Sequence, residues 1–102
     1  MHNMVYLIGR LTQDIEIVEM EDGVKRGKLV LAVQRPYKNF DGIYETDFID
    51  CILWNAVAEN TAEYCKKGDL VGIKGRIQTR CYETEDGEKK KITEIIVDKL
   101  SF

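Results

Sequence analysis

The chain has 102 residues, 44% of them apolar, and a formal net charge of −3. That length suits one domain over residues 1–102, able to bury most of the surface its unfolded chain exposes. The composition excludes a membrane-spanning helix, since no run of about 18 apolar residues occurs, and the acidic balance lacks the strongly basic footprint usual for nucleic-acid binders.

The first segment, MHNMVYLIGR, has no basic region ahead of a cleavable apolar stretch, so the expectation is a cytoplasmic protein. Met4 to Leu11 is dense in aliphatic, β-branched and aromatic residues and reads as a strand. Val5, Leu7 and Leu11 face one way; Tyr6, Ile8 and Arg10 face the other. With both faces largely apolar, this strand either meets a partner subunit or sits in a two-sided core. Gly9 within it suggests a bulge or the corner of a small barrel. The acid-rich TQDIEIVEMEDG then reads as a turn region closed by Asp22-Gly23.

Lys28 to Arg35 is predicted as the second strand, ended by Pro36, which has no amide hydrogen for a ladder. The following PYKNFDGIYE is expected to be a long loop carrying Tyr37, Phe40 and Tyr44. Long aromatic loops are often binding loops, and Tyr37 is the favoured contact residue here. Thr46 to Trp54 is the third strand. Ile49, Cys51 and Leu53 share its core side, which leaves Phe48 and Trp54 on the opposite side, about 20 Å apart. Those rings pack on a partner or stack on a ligand.

Asn55 is placed to cap a short helix from Ala56 to Cys65, with Lys66, Lys67 and Gly68 closing it. Leu70 to Tyr82 is the fourth strand. Alternation puts Val71, Ile73, Gly75 and Ile77 on the core side and Lys74, Arg76, Gln78, Arg80 and Tyr82 on the other. Cations interleaved with a ring suit an unpaired nucleic acid, because the cations track phosphates and the ring accepts a base; the same pattern also keeps an exposed strand soluble. Residues 66 to 80 carry Lys66, Lys67, Lys74, Arg76 and Arg80 against Asp69 alone, so the local field is positive although the chain is acidic. Asp86-Gly87 marks a turn between two strands, Lys89 to Lys91 at its base either touch phosphate or, more commonly for such a run, form a solvated charge cluster, and Ile92 to Leu100 is the last strand. Cys51, Cys65 and Cys81 are odd in number and lack C-x-x-C spacing, which argues for reduced packing residues rather than disulfides or zinc.

Three strands, a helix and two strands give the connectivity of an all-β, five-stranded OB-fold Greek-key barrel with its helix between strands three and four. VYLIGRLTQDIEI, TDFIDCILWNAVAE, EYCKKGDLVGIKGRIQTRCYE and TEIIVDKLSF, in that order, resemble the bacterial-type single-stranded DNA-binding protein family over essentially the whole chain. The resemblance implies binding of single-stranded DNA with little sequence specificity in replication, recombination and repair, at the nucleoid. Carried over by position, it implies base stacking by Tyr37, Phe48, Trp54 and Tyr82, with backbone contacts from Lys67 and Arg80. The face argument adds Lys74 and Arg76, and Arg35 at the end of strand two is counted with them.

The resemblance also implies a homo-oligomer, a tetramer before a dimer, with Tyr6 and Ile8 at the interface. Three features depart from the family pattern. Ile15 follows Asp14 where the family usually has proline, and Ala56 stands where some members have lysine. The chain also stops at Phe102 without the acidic tail that recruits repair enzymes, so tail-mediated recruitment is not expected. Two other readings are a dimeric primosomal-type OB protein that bridges replication-restart partners, and an OB-fold protein-interaction module without DNA binding. No enzyme, cofactor or metal is expected: the single histidine is His2, and no catalytic set, metal cluster or phosphate loop is present.

Overall fold

A computed structural model describes all residues, Met1 to Phe102. Its elements are β1 (Val5–Leu11), β2 (Glu16–Glu19), β3 (Lys25–Lys38), β4 (Tyr44–Trp54), α1 (Asn55–Tyr64), β5 (Leu70–Glu83) and β6 (Lys89–Ser101). The strands hydrogen-bond in the order β1-β5-β6-β4-β3-β2, and an added β1–β3 pairing at Arg10↔Ala32 and Leu11↔Leu31 closes the sheet on itself. All pairings are antiparallel except β4 with β6, which run parallel at Cys51↔Ile95 and Ile52↔Ile96. The closed part is thus a mixed five-stranded barrel of β1, β3, β4, β5 and β6, with the helix between its third and fourth strands, as an OB-fold requires.

The alternation in the sequence accounts for the core. Leu29 and Leu31, Cys51 and Leu53, and Val71 and Ile73 come from alternate positions of three strands, and all are buried. Each such side chain contributes about 1.5–3 kcal/mol by leaving water. Ala58 and Cys65 of the helical segment close one end of this cluster. The helix lies against β3 at Gly27, where an added Cβ would stand 3.0 Å from that of Ala58. Gly9 makes no bulge. It is the point where β1 crosses close to β3, and a Cβ there would lie 2.4 Å from the Ala32 carbonyl oxygen.

Five local expectations are corrected. The acid-rich stretch after β1 contains a sixth strand, β2, whose Glu16 and Glu19 stand opposite Lys28 and Lys25; all four of its residues are exposed and the backbone ladder to β3 rather than burial holds it, so it leaves little trace in hydropathy. Pro36 does not end its strand. A register shift between Gln34 and Lys38 absorbs the missing donor, and pairing resumes at Lys38↔Tyr44. What reads as a long loop is therefore a hairpin with a short tip, where the Asn39 side-chain oxygen accepts the amides of Asp41 and Ile43.

Ile77 sits on the core side by alternation yet is 45% exposed, because β1 pairs with β5 only as far as Val5↔Gly75 and no strand follows it on that edge of β5. There the Asn3 side chain substitutes for a strand: its Nδ2 donates to the Ile77 carbonyl at 2.7 Å and its Oδ1 accepts the Ile77 amide at 2.9 Å. Asn55 does not cap the helix. It adopts φ +50°, and its side-chain oxygen accepts the Lys25 amide of β3 at 3.0 Å, which ties the start of the helix to the barrel. No helix is long and apolar enough to cross a membrane.

Candidate nucleic-acid interface

Because the odd positions of β4 fill the core, its even positions emerge outside. Phe48 is 67% exposed and Trp54 38%. Between them Ile52 also points outward, yet it is buried, as is its parallel neighbour Ile96 on β6. These two isoleucines form the apolar floor of a groove of about 350 Å³. Trp54 stands at one side of it, Gln78 and Arg80 of β5 at the other, with Arg26 of β3 and Met20 completing the rim. Four barrel strands therefore supply one concavity lined by an aromatic ring, aliphatic carbon and a guanidinium.

The charge in this groove is organised by Glu94 of β6, which is 5% exposed. Arg80 Nε donates to Glu94 Oε1 at 2.9 Å, and Arg26 Nη2 lies 3.6 Å from Glu94 Oε2. Burying a carboxylate costs several kcal/mol unless it is paired and hydrogen-bonded, and here two cations share one anion. One positive charge is left in excess.

The other candidates stand around this groove rather than in it. Tyr82, 41% exposed, lies two residues beyond Arg80 on the same face of β5 and lines a separate recess with Cys81, Glu83 and Lys89. Tyr37, 62% exposed, follows the β3 irregularity and lines another recess with Arg35, Lys38 and Phe40. Lys38 Nζ sits 5.6 Å from the Tyr44 ring centroid. Arg76 stands opposite Ile96 next to the groove, with its Nη1 on Gln78 Oε1 at 2.7 Å.

The remaining cations differ in how far they are already engaged. Lys67 lies in the loop after α1, its amide bound to Asp14 and its ammonium without an ion pair. Lys74 extends over the outer side of β1, 5.9 Å from the Tyr6 ring centroid. The guanidinium of Arg35 is occupied: it grips Asp47 with Nε and Nη2 and Glu45 with Nη1. The hydrogen bond and charge of Arg35 hold the Asp47 carboxyl below the usual carboxylate range.

Tyr6 and Ile8, 70% and 71% exposed, project from β1, and that strand pairs with β3 only at Arg10 and Leu11, so its edge from Val5 to Gly9 is open. No group of three or more His, Cys, Asp or Glu is placed to hold a metal. Cys51 and Cys65 pack in the interior as expected, but Cys81 does not: it is exposed on the part of β5 that β1 no longer covers. Burial first, then Asp50, pushes the Cys51 thiol up to about 12.

Reading the sequence alone misses Arg26 and Glu94. Arg26 precedes the predicted start of the second strand by two residues, and extending that strand back by one pleat would have placed it on the outer face opposite Trp54. Glu94 gives no such signal, because an acid inside ITEIIV is indistinguishable from an ordinary solvent-facing residue until its partners are located.

Residues 2–102 match the profile of the single-strand binding protein family. The chain is 47% identical over 102 residues to single-stranded DNA-binding protein B of Bacillus subtilis (strain 168), covering 100% of this chain and 90% of that protein. It is also 47% identical over 102 residues to single-stranded DNA-binding protein 3 of Listeria innocua, spanning 64% of it, and 48% identical over 98 residues to single-stranded DNA-binding protein 1 of Lactococcus lactis, spanning 65%. It thus covers nearly all of the first relative and just under two thirds of the other two. With the profile matching from His2 to the last residue and a barrel of OB connectivity beneath it, the chain belongs to the single-strand binding protein family.

Proposed function

We propose that this protein binds single-stranded DNA with little sequence preference and shields it during replication, recombination and repair, at the nucleoid. The observation that carries the reading is the groove in which Trp54 and Arg80 face each other across Ile52 and Ile96. A half-exposed ring in an apolar groove accepts any base, since every base has a π-face, and the neighbouring cation meets its phosphate. Trp54, Phe48, Tyr37 and Tyr82 are the stacking residues of this proposal. Arg80 is the central phosphate contact, with Arg76, Lys74 and Lys67 extending the positive track; Arg35 joins only by leaving Asp47 and Glu45.

Each stacked base contributes about 1–3 kcal/mol and one OB-fold covers roughly 4–16 nucleotides. The work is binding, not catalysis. The protein acts as a homo-oligomer, which the open edge of β1 and the exposed Tyr6 and Ile8 support, and a tetramer is the arrangement proposed.

The test is a titration of tryptophan emission with oligo-dT and with duplex DNA at two salt concentrations. Trp54 is the only tryptophan, so a stacked base reports directly. Quenching by oligo-dT that weakens with salt, and little response to duplex, is the expected result. A protein-interaction module would show no response to either.

A further inference from the structure

We propose that Glu94 is a positioning residue for single-strand binding, a buried counter-ion that fixes Arg80 toward a phosphate and withholds Arg26 from one. This rests on the binding mode proposed above and names how its central groove is controlled.

An acid beneath a groove for a polyanion opposes binding unless it is used to arrange cations, and the geometry here does that. Arg80 gives only its Nε to Glu94, at 2.9 Å, so its two terminal nitrogens keep no protein partner and remain available on a guanidinium that is already oriented. An oriented cation loses less freedom on meeting its ligand than a loose one. Arg26 is held differently. Its terminal Nη2 lies 3.6 Å from the other carboxylate oxygen, and its side chain is 26% exposed against 47% for Arg80. Arg26 makes no hydrogen bond to Glu94, but its Nη2 stands at ion-pair distance from the carboxylate, so the attraction draws this terminal nitrogen toward Glu94 rather than toward a phosphate. The groove therefore offers one phosphate contact although two arginines line it.

The experiment compares the salt dependence of oligo-dT affinity in the parent, Glu94→Gln, Arg26→Gln and the double variant, by anisotropy of a labelled oligonucleotide. Each phosphate contact on a single strand contributes about −0.7 to the slope of log affinity against log salt, or roughly fivefold in affinity per tenfold change of salt. Glutamine keeps the size of Glu94 and its acceptor for Arg80 but removes the charge that retains Arg26. Glu94→Gln is expected to steepen the slope by about 0.7, Arg26→Gln alone to leave it at the parent value, and the double variant to return to the parent.

A Glu94→Gln slope equal to the parent's, or an Arg26→Gln slope shallower by about 0.7, overturns the proposal. If Glu94→Gln does not fold, Arg26→Gln decides alone: an unchanged slope supports sequestration and a shallower one refutes it. A residue needed only for stability would lower the unfolding midpoint in these variants and leave the slopes alone. A parent that fails to bind oligo-dT removes the single-strand reading itself, an outcome distinct from any slope among the variants.

Discussion

Trp54 stands directly opposite Arg26 in the β3–β4 ladder, and both side chains reach the groove across which Arg80 faces them. The register that aligns this pair depends on strict alternation along β3 and β4. Leu29 and Leu31 must go inward with Cys51 and Leu53, and the residues between them then have nowhere to go but out.

That register has a tight constraint on β5. A Cβ on Gly75 would lie 2.2 Å from the Ile96 carbonyl oxygen, whereas one on Gly72 meets nothing closer than 3.9 Å. Gly75→Ala is expected to cost about 1–3 kcal/mol by overpacking, and Gly72→Ala to be neutral or to stabilise by up to about 1 kcal/mol through the unfolded chain. Urea unfolding of the two variants checks this. Equal midpoints would contradict the close approach at Gly75.

The cysteines give a second check on the barrel. Cys51 and Cys65 are buried, with burial raising both thiols, and Cys81 is exposed. A thiol-alkylating reagent near neutral pH should modify the folded protein at Cys81 alone and reach all three sites only in denaturant, as read by mass spectrometry. Labelling of Cys51 without denaturant would mean that the closed sheet opens.

Asp47 predicts a pH dependence. Its carboxyl titrates lower when folded than when unfolded because of the hydrogen bond from Arg35. Such a group contributes stability that is complete above the unfolded value, about 3.9, and is lost as pH falls through the folded value. Between about pH 5 and pH 3 the parent should therefore lose slightly more stability than Asp47→Asn, with both followed by urea midpoints. Identical losses would show that the Arg35–Asp47 pair adds nothing to folding.

Most of this architecture is legible in the residues, and the failures share a cause. The core sides of β3, β4 and β5 follow from alternation, and the turns at Asp22-Gly23 and Asp86-Gly87 from the left-handed conformation that Gly23 and Gly87 adopt. What alternation cannot give is the partner. It places Ile77 inward without showing that β1 has ended, counts Arg35 as a free cation without showing Asp47 beside it, and reads β2 as a turn because Lys25 and Lys28 lie beyond the hairpin. The candidate site divides in the same way. The outward aromatics are visible as a face, whereas the Arg26–Glu94–Arg80 arrangement joins three strands and exists only once they meet.

The open edge of β1 predicts association. Ile8→Asp places a charge at the centre of the exposed apolar side of that strand and should reduce the assembly size in sedimentation while the circular dichroism spectrum stays that of the parent. An unchanged sedimentation coefficient would move the interface elsewhere.

Trp54 is the residue on which single-strand binding depends most directly. It is 38% exposed and lies outside the core cluster, so Trp54→Ala should fold. Loss of one stacked base, about 1–3 kcal/mol, corresponds to roughly fivefold to 150-fold weaker binding of oligo-dT by anisotropy. A folded Trp54→Ala protein that binds the oligonucleotide as tightly as the parent would place the DNA on some other surface of the barrel.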